Sequence, residues 1–457
     1  MLVDFGSTFT KVLLVDAEKE EILARAISPS TVETDITKGL SKALQEIDEW
    51  NKLKKRVRSR LACSSAAGGL RIVAIGLVPE LTGEAARQGA LGAGGKVVGV
   101  FSHKLTAADI THLEAHEPDM LLLSGGTDGG ERDTVEYNGL RLANSGLSCP
   151  VVVACNREAA PNVMRSLRKA GKVVVETENV MPDLGKLNVE PAKKEIRRLF
   201  IKHIVRAKGL EKARRFVDVL MPTPSASLRG SELLADGTAK EKGFGDVMVV
   251  EVGGATTNVY SIFTEPKSQA NVLHKGMEEG RVKRTVEGDL GVRVSAPSLV
   301  HAVGTENIMK LMGTVSGFDA LGAAERLARD TSQLPETEED RAFDMALTKM
   351  AVRHAVARHV GRIDEVHTPA GTHFFQTGKN FETLGALVGS GGPVVHSPNP
   401  ARVLNEGIAG NEDPTILKPK KPRTLIDGEY VLWSMGLLSE HYPDVALRML
   451  KRSLRPV

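Results

Sequence analysis

Val3-Asp4-Phe5-Gly6-Ser7-Thr8-Phe9-Thr10-Lys11 opens this chain of 457 residues, and Glu251-Val252-Gly253-Gly254-Ala255-Thr256-Thr257-Asn258 stands near its middle. An apolar run leads into each stretch, an acid stands before a small-residue turn, and an apolar run resumes behind it. Strand, polar glycine turn, strand is the sequence signal of a β-hairpin. A third turn, Gly389-Ser390-Gly391-Gly392-Pro393, follows the apolar Ala386-Leu387-Val388. One such turn is commonly a plain hairpin. Three in this order, two of them hairpins headed by an acid, form a much narrower pattern. The repeated hairpin predicts a two-lobed duplication.

The residue types in these turns suit a nucleotide. Gly6 lets the backbone approach a ligand closely, while Ser7 and Thr8 offer hydroxyls beside turn N–H groups, a nest for phosphate. Lys11 supplies neutralising charge. Asp4 can face phosphate favourably only across a cation, which predicts Mg2+ held largely through water. Gly253, Gly254, Thr256 and Thr257 repeat that logic, with Glu251 in the acid's place. At Gly389, Ser390, Gly391 and Gly392 the backbone can lie flat against a base or ribose.

These ordered turns resemble the phosphate-one, phosphate-two and adenosine motifs of the actin, sugar kinase and Hsp70 superfamily. Within it, the chain resembles the glutamate-mutase accessory ATPases, the GlmL or MutL family. The stretches that carry the likeness are residues 3–11, 122–130 (LLSGGTDGG), 151–160 (VVVACNREAA), 178–186 (ENVMPDLGK), 221–225 (MPTPS), 250–258 (VEVGGATTN), 283–293 (KRTVEGDLGVR), 387–393 (LVGSGGP) and 435–438 (MGLL). They run nearly from end to end. The resemblance implies a reactivating or chaperone-like ATPase that serves an adenosylcobalamin-dependent mutase subunit. Two positions depart from the superfamily pattern: Glu251 and Asn258 stand where aspartate is usual. Glutamate reaches one methylene further, and asparagine brings a carbonyl without charge.

Between the hairpins the pattern changes. Strands are expected at residues 97–101, 120–123, 150–154 and 172–176, alternating with helices at 107–116 and 158–170 and one after the 124–130 turn. Such alternation means βαβ units and a parallel sheet. The expected division is therefore a first lobe over 1–95, an inserted α/β domain over 96–185, and a second lobe with return segments and C-terminal helices over 186–457. Basic amphipathic helices are expected at 191–208 and 211–220.

Composition sets limits. Hydrophobic residues make up 41% and charged residues 26%, the balance of a soluble globular protein. A net charge of +3 is far from the clustered excess of a dedicated nucleic-acid binder. The basic runs 52–60 and 418–423 read as solvated faces. Three cysteines, Cys63, Cys149 and Cys155, form no CxxC pair and no disulfide framework. No apolar stretch reaches the roughly 20 residues of a membrane span, and no signal peptide is visible, so a cytoplasmic location is expected. His112 and His116 lack a third metal ligand in sequence. Glu287 and Asp289 offer either water activation or a turn cap.

The expected molecule is thus a two-lobed actin-like ATPase with ribonuclease H-like lobes and an α/β insertion in the first. ATP with Mg2+ is expected in the cleft between lobes: phosphates on Gly6, Ser7, Thr8, Lys11, Gly253, Gly254, Thr256 and Thr257, the metal organised by Asp4 and Glu251, adenosine on residues 389–392. A small-molecule kinase of the same superfamily and a nucleotide-dependent scaffold or filament protein stand as the alternatives.

Overall fold

The computed structural model describes residues 1–457 apart from 7–8, 32–34, 66–69, 201–215, 218, 267–271, 277–278, 314–316, 369–370 and 411–412. The described chain divides into two compact units. The first comprises Met1–Val15, Ile22–Ala226 and Gly276–Gly280; the second comprises Asp16–Glu21, Ser227–Lys275 and Arg281–Val457.

Unit 1 begins with β1 (Leu2–Phe5), β2 (Phe9–Asp16) and β3 (Glu21–Pro29), followed by β4 (Leu61–Ser64). Next come β5 (Arg71–Ile75), β6 (Lys96–Phe101), β7 (Met120–Leu123), β8 (Val151–Val153) and β9 (Val174–Glu176), and the chain returns as β10 (Val219–Pro222). Two five-stranded sheets result, ordered β10-β4-β1-β2-β3 and β6-β5-β7-β8-β9. In the first, β1 and β2 are antiparallel, while β1, β4 and β10 run parallel. The second is parallel throughout. Its strand β5 precedes residue 96, and the whole sheet is inserted between β4 and β10.

Such a sheet must be covered on both faces, so its central strands β7 and β8 are continuously apolar and buried, and β5 nearly so. Ile72, Ala74, Met120 and Leu122 join the core shared with Val3, Phe5, Val12 and Leu14. Val73, Ile75, Leu121 and Leu123 alternate to the other face, against Leu105, Leu113, Val135 and Leu167. The helix Ile36–Gln45 buries Ile36, Leu40 and Ala43, and Asp35 caps it by accepting from the Thr37 N–H. Of the basic helix expected at 191–208, the described part is helical over Glu190–Leu199. The remainder, like most of the helix expected at 211–220, lies outside the described residues; its last two residues belong to β10.

Unit 2 repeats the first sheet. Its strands are β11 (Val247–Val252), β12 (Thr257–Ile262), β13 (Val272–Lys275), β14 (Val282–Glu287), β15 (Arg362–Thr368), β16 (Gly371–Thr377), β17 (Ala386–Ser390), β18 (Arg423–Asp427) and β19 (Leu454–Pro456). The large sheet is ordered β14-β12-β11-β17-β18-β19. Strand β11 pairs antiparallel with β12 and parallel with β17, and β17 is parallel to β18. Both units therefore arrange five strands as third, second, first, fourth, fifth, the ribonuclease H-like plan. This agrees with the expected mixed α/β architecture of actin type. The strands β13, β16 and β15 form a separate three-stranded sheet.

The tip between β2 and β3 belongs to unit 2. There the Glu20 carboxylate accepts from Arg448 Nε at 2.8 Å and Arg452 Nη1 at 3.0 Å, and the Arg448 guanidinium holds its carboxyl below the usual range.

The helix Thr223–Asp236 meets the helix Leu432–Leu438 so closely at Gly230 that an added Cβ would lie 2.5 Å from the Leu432 carbonyl oxygen. Alanine ordinarily stabilises a helix interior by about 1 kcal/mol over glycine. Here the sign should reverse: Gly230→Ala is expected to destabilise by about 1–3 kcal/mol, read as a lower urea midpoint.

Candidate functional site

Strand β11 is buried along its whole length and pairs with β12 in the register Glu251 opposite Asn258 and Val252 opposite Thr257. The Gly253 N–H donates to the Thr256 carbonyl at 2.9 Å and closes the turn. Residues 290–295 lie along this turn and take its carbonyls one by one. The N–H of Val292 reaches the Gly253 oxygen at 3.1 Å, that of Arg293 the Gly254 oxygen at 2.8 Å, and the Ser295 hydroxyl the Ala255 oxygen at 2.7 Å. Gly291 makes this approach possible, since a Cβ there would lie 2.3 Å from the Ala255 carbonyl carbon. Arg293 is fixed by two bonds of 2.7 Å to the Asp344 carboxylate.

A trans peptide holds its oxygen and the next N–H in one plane, pointing in opposite directions across the C–N bond. Fastening the oxygens of 253, 254 and 255 therefore orients the N–H groups of Gly254, Ala255 and Thr256. Among the described residues nothing accepts from those three groups, and the turn is half-exposed. Adjacent, oriented, unclaimed donors make a nest for an oxygen-rich ligand.

The first hairpin has the same register: Asp4 opposite Lys11, Phe5 opposite Thr10, and a Gly6 N–H donated to the Phe9 carbonyl at 3.0 Å. Asp4 thus matches Glu251, Gly6 matches Gly253 and Lys11 matches Asn258. Ser7 and Thr8 lie outside the described residues. Asp4 is buried; its Oδ2 meets Lys11 Nζ at 3.2 Å, and its Oδ1 accepts from the Thr223 hydroxyl at 2.7 Å. By this correspondence Thr256 falls at the place of Phe9, and Thr257 at that of Thr10. The Thr257 hydroxyl donates to the Leu290 carbonyl at 2.7 Å.

Glu251 is buried too, accepting from the Tyr260 hydroxyl at 2.9 Å and the Ser227 hydroxyl at 3.3 Å. Arg284 Nη2 donates to the Asn258 side-chain oxygen Oδ1 at 2.8 Å. Burial, then the Glu251 charge, pushes the Tyr260 hydroxyl well up, so it stays a donor; burial pulls Arg284 down. Sequence reasoning missed Tyr260 and Ser227. Arg284 lay within the quoted 283–293 stretch without a role. Among the described residues no group of three or more His, Cys, Asp or Glu is placed to hold a metal ion. The carboxylates beside the two hairpin turns, Asp4 and Glu251, each meet two donors within their own unit.

In the third turn, Gly391 has φ +89° and a Cβ there would lie 2.1 Å from the Val252 oxygen, so the turn packs on the end of β11. Gly389 is tight as well, a Cβ there falling 2.7 Å from Val394 Cγ1, whereas a Cβ at Gly392 would meet His396 Cδ2 only at 4.0 Å. Ser390 is buried, and its hydroxyl donates to Asp427 Oδ2 at 3.1 Å. Asp427 also accepts from the N–H groups of Val431 and Leu432 at 3.0 and 2.8 Å and from the Ser453 hydroxyl at 3.2 Å.

The family profile described as MutL protein matches residues 1–454. A curated relative, Protein MutL of Clostridium tetanomorphum, is 46% identical over 456 residues, covering 99% of this chain and 98% of that protein. The chain belongs to the MutL family. Solved structures give looser overlaps. A nucleotide-free acetone carboxylase, from a study of ATP-dependent acetone carboxylation, is 13% identical at a TM-score of 0.38, covering 96% of this chain and 70% of that one. A chain of the PilM-PilN type IV pilus biogenesis complex is 12% identical at a TM-score of 0.29, covering 99% and 98%. Overlaps at that level carry no argument.

Other flagged residues are engaged elsewhere. Arg358 binds Glu287 at 2.8 Å and both Asp289 oxygens at 2.8 and 2.9 Å, holding the Asp289 carboxyl below its usual range. Burial pushes the thiols of Cys149 and Cys155 up to about 11 and about 12, and raises Cys63 as well, so none is a ready nucleophile. His116 caps the helix Ala107–Ala115 and packs edge-on against Phe101.

Two predictions follow the geometry. Arg293→Ala should cost about 1–3 kcal/mol of stability, since a charged hydrogen-bonded pair is lost. In a double-mutant cycle with Asp344→Ala in urea denaturation, the pair should show a coupling of at least about 0.5 kcal/mol. For Asp427, burial raises the native pKa above the unfolded value of about 3.9, so between those values the native state binds more protons. Stability gained from that proton is present at the acid end and lost as pH rises through the native pKa. Wild type should therefore lose stability relative to Asp427→Asn across that window, measured by denaturation at stepped pH.

Proposed function

We propose that this protein binds ATP with Mg2+ and hydrolyses it in the service of an adenosylcobalamin-dependent mutase, such as glutamate mutase. The observation that carries the nucleotide reading is the row of unclaimed N–H groups at Gly254, Ala255 and Thr256, their carbonyls all tied back. A polyphosphate answers that donor row, and a second hairpin of matching register opens the chain.

In this reading Gly6, Ser7, Thr8, Gly253, Gly254, Thr256 and Thr257 surround the phosphates. Most of that work falls to backbone N–H groups, because the Thr257 hydroxyl is already given to Leu290. Lys11 adds positive charge. Asp4 and Glu251 organise Mg2+, which supplies charge neutralisation when bound. Gly389, Gly391 and Gly392 bed the adenosine, with Ser390 anchoring that turn to Asp427. Phosphoryl transfer to water needs positioning and charge stabilisation more than covalent help.

Arg358 occupies both Glu287 and Asp289, so neither stands ready as a base for water or for an acceptor hydroxyl, and the preference for hydrolysis over kinase activity rests on the family likeness. The mutase reading comes from the family likeness. Among the described residues no helix is long and apolar enough to cross a membrane.

Calorimetry should show Mg–ATP binding to the folded protein, and Asp4→Ala should lower affinity or turnover at least about tenfold. With ATP and fresh adenosylcobalamin, the protein should restore a mutase inactivated by damaged cofactor, and an unreactive ATP analogue should not. Absence of ATP binding would sink the reading. Stoichiometric phosphoryl transfer to a small acid or sugar would replace it with a kinase.

A further inference from the structure

Strand β3 closes one side of the first sheet of unit 1, and among the described residues no strand pairs with its outer side. It runs nine residues, Glu21-Ile22-Leu23-Ala24-Arg25-Ala26-Ile27-Ser28-Pro29. An edge of that length presents a row of backbone N–H and C=O groups, and the complement of such a row is another extended chain. Natural edges are commonly guarded by brevity, proline or charge. Here the proline stands last, and a single charge stands mid-strand.

The two faces of β3 differ. Ala26 and Ser28 are buried, Ala26 in the core with Val3, Val12 and Ile36, and the Ser28 hydroxyl donates to the Gly39 carbonyl at 2.6 Å. Glu21, Leu23, Arg25, Ile27 and Pro29 alternate to the other face and are exposed, Leu23 by 43% and Ile27 by 55%. The strand is thus fixed from behind. An incoming strand meets an edge already ordered, which lowers the entropy lost on pairing.

The order of side chains on the exposed face selects the occupant. Two copies of one strand can pair antiparallel about a two-fold axis, with residues directly opposite sharing a face. An axis at Arg25 overlaps the whole strand but sets Arg25 against itself, and like charges directly opposite are destabilising. An axis at Ala24 sets Leu23 against Arg25 and Glu21 against Ile27. An axis at Leu23 sets each Leu23 against its counterpart and each Arg25 against Glu21 of the other copy. Of the axes that β3 allows, that one alone places an acid of the strand opposite Arg25.

We propose that β3 is a self-pairing surface, through which two copies of this chain join antiparallel over residues 21–25, with Leu23 at the two-fold axis and a Glu21–Arg25 pair on either side. The overlap is short, so the dimer is weak and forms at about 10–100 µM. No residue of the nucleotide turns takes part.

Sedimentation equilibrium on the full chain should show a concentration-dependent dimer below about 500 µM. Arg25→Glu alone and Glu21→Arg alone should each raise the dissociation constant at least about tenfold, since two attractions become repulsions. The double variant Glu21→Arg/Arg25→Glu should dimerise as wild type does. An equimolar mixture of the two single variants should do so too, because every glutamate then faces an arginine. A variant that merely damaged the fold would be rescued in neither way. Opposite Cα atoms of an antiparallel pair lie about 4.5–5.5 Å apart, within reach of a disulfide. Leu23→Cys should therefore cross-link two copies under mild oxidation, and Ile27→Cys should not. A wild type that stays monomeric up to about 500 µM overturns the proposal. So does a dimer indifferent to the charge swaps, or cross-linking no better at Leu23→Cys than at Ile27→Cys.

Discussion

Residues 290–295 hold the carbonyl oxygens of the 253–256 turn, and the donors which that turn presents exist because of this restraint. A peptide group cannot turn its N–H without turning its oxygen. A free glycine turn would sample many orientations and lose entropy on meeting a ligand. Here the loss is taken at folding, through three hydrogen bonds, one close glycine contact at Gly291, and the Arg293–Asp344 pair behind them. The same device recurs at 125–127, where the backbone N–H groups of Asn156 and Gly130 take the Gly125 and Thr127 oxygens and the Asn179 side-chain amide takes that of Gly126. One chain has used one solution on two unrelated sheets.

Acids around the three glycine turns follow a second rule: each is buried, and each is met by donors. Asp4 has Lys11 and Thr223; Glu251 has Tyr260 and Ser227; Asp427 has two N–H groups and two hydroxyls. Asp4 and Glu251 occupy matching places yet are satisfied differently. Where the first hairpin pairs its acid with Lys11, the second has Asn258, and the cation comes from the neighbouring strand as Arg284. The duplicated backbone is kept while the charge is carried by another element.

Both hairpins were legible because their signals are local: a glycine turn, an acid at its entrance, and apolar runs on either side. The repeated hairpin points to the duplication and the strand–helix alternation to a parallel sheet, while the strand orders themselves are not legible from spacing. What the sequence did not disclose depends on partners far along the chain. Asp427 is one acid in an apolar stretch, and its four donors come from Ser390, Val431, Leu432 and Ser453. Tyr260 looks like any buried strand aromatic until Glu251 is seen beneath its hydroxyl. Strand β5 is five apolar-rich residues ahead of a glycine, too short to announce itself as the centre of a sheet. The Arg362–Thr368 and Gly371–Thr377 strands carry too many charged and polar residues to announce themselves in sequence.

The tip Asp16–Glu21 has a consequence for how the molecule can be taken apart. Flanked by β2 and β3 of one unit, it is held by Arg448 and Arg452, near the far end of the chain. The second unit is thus assembled from an early hexapeptide and two late segments. No single stop codon or protease nick separates the halves cleanly. A fragment ending at Ala226 would carry the tip without its arginines, and one starting at Ser227 would carry the arginines without the tip. The natural cut points for engineering independent halves are paired ones, on both sides of the hexapeptide and of Gly276–Gly280, with a new turn closing β2 to β3.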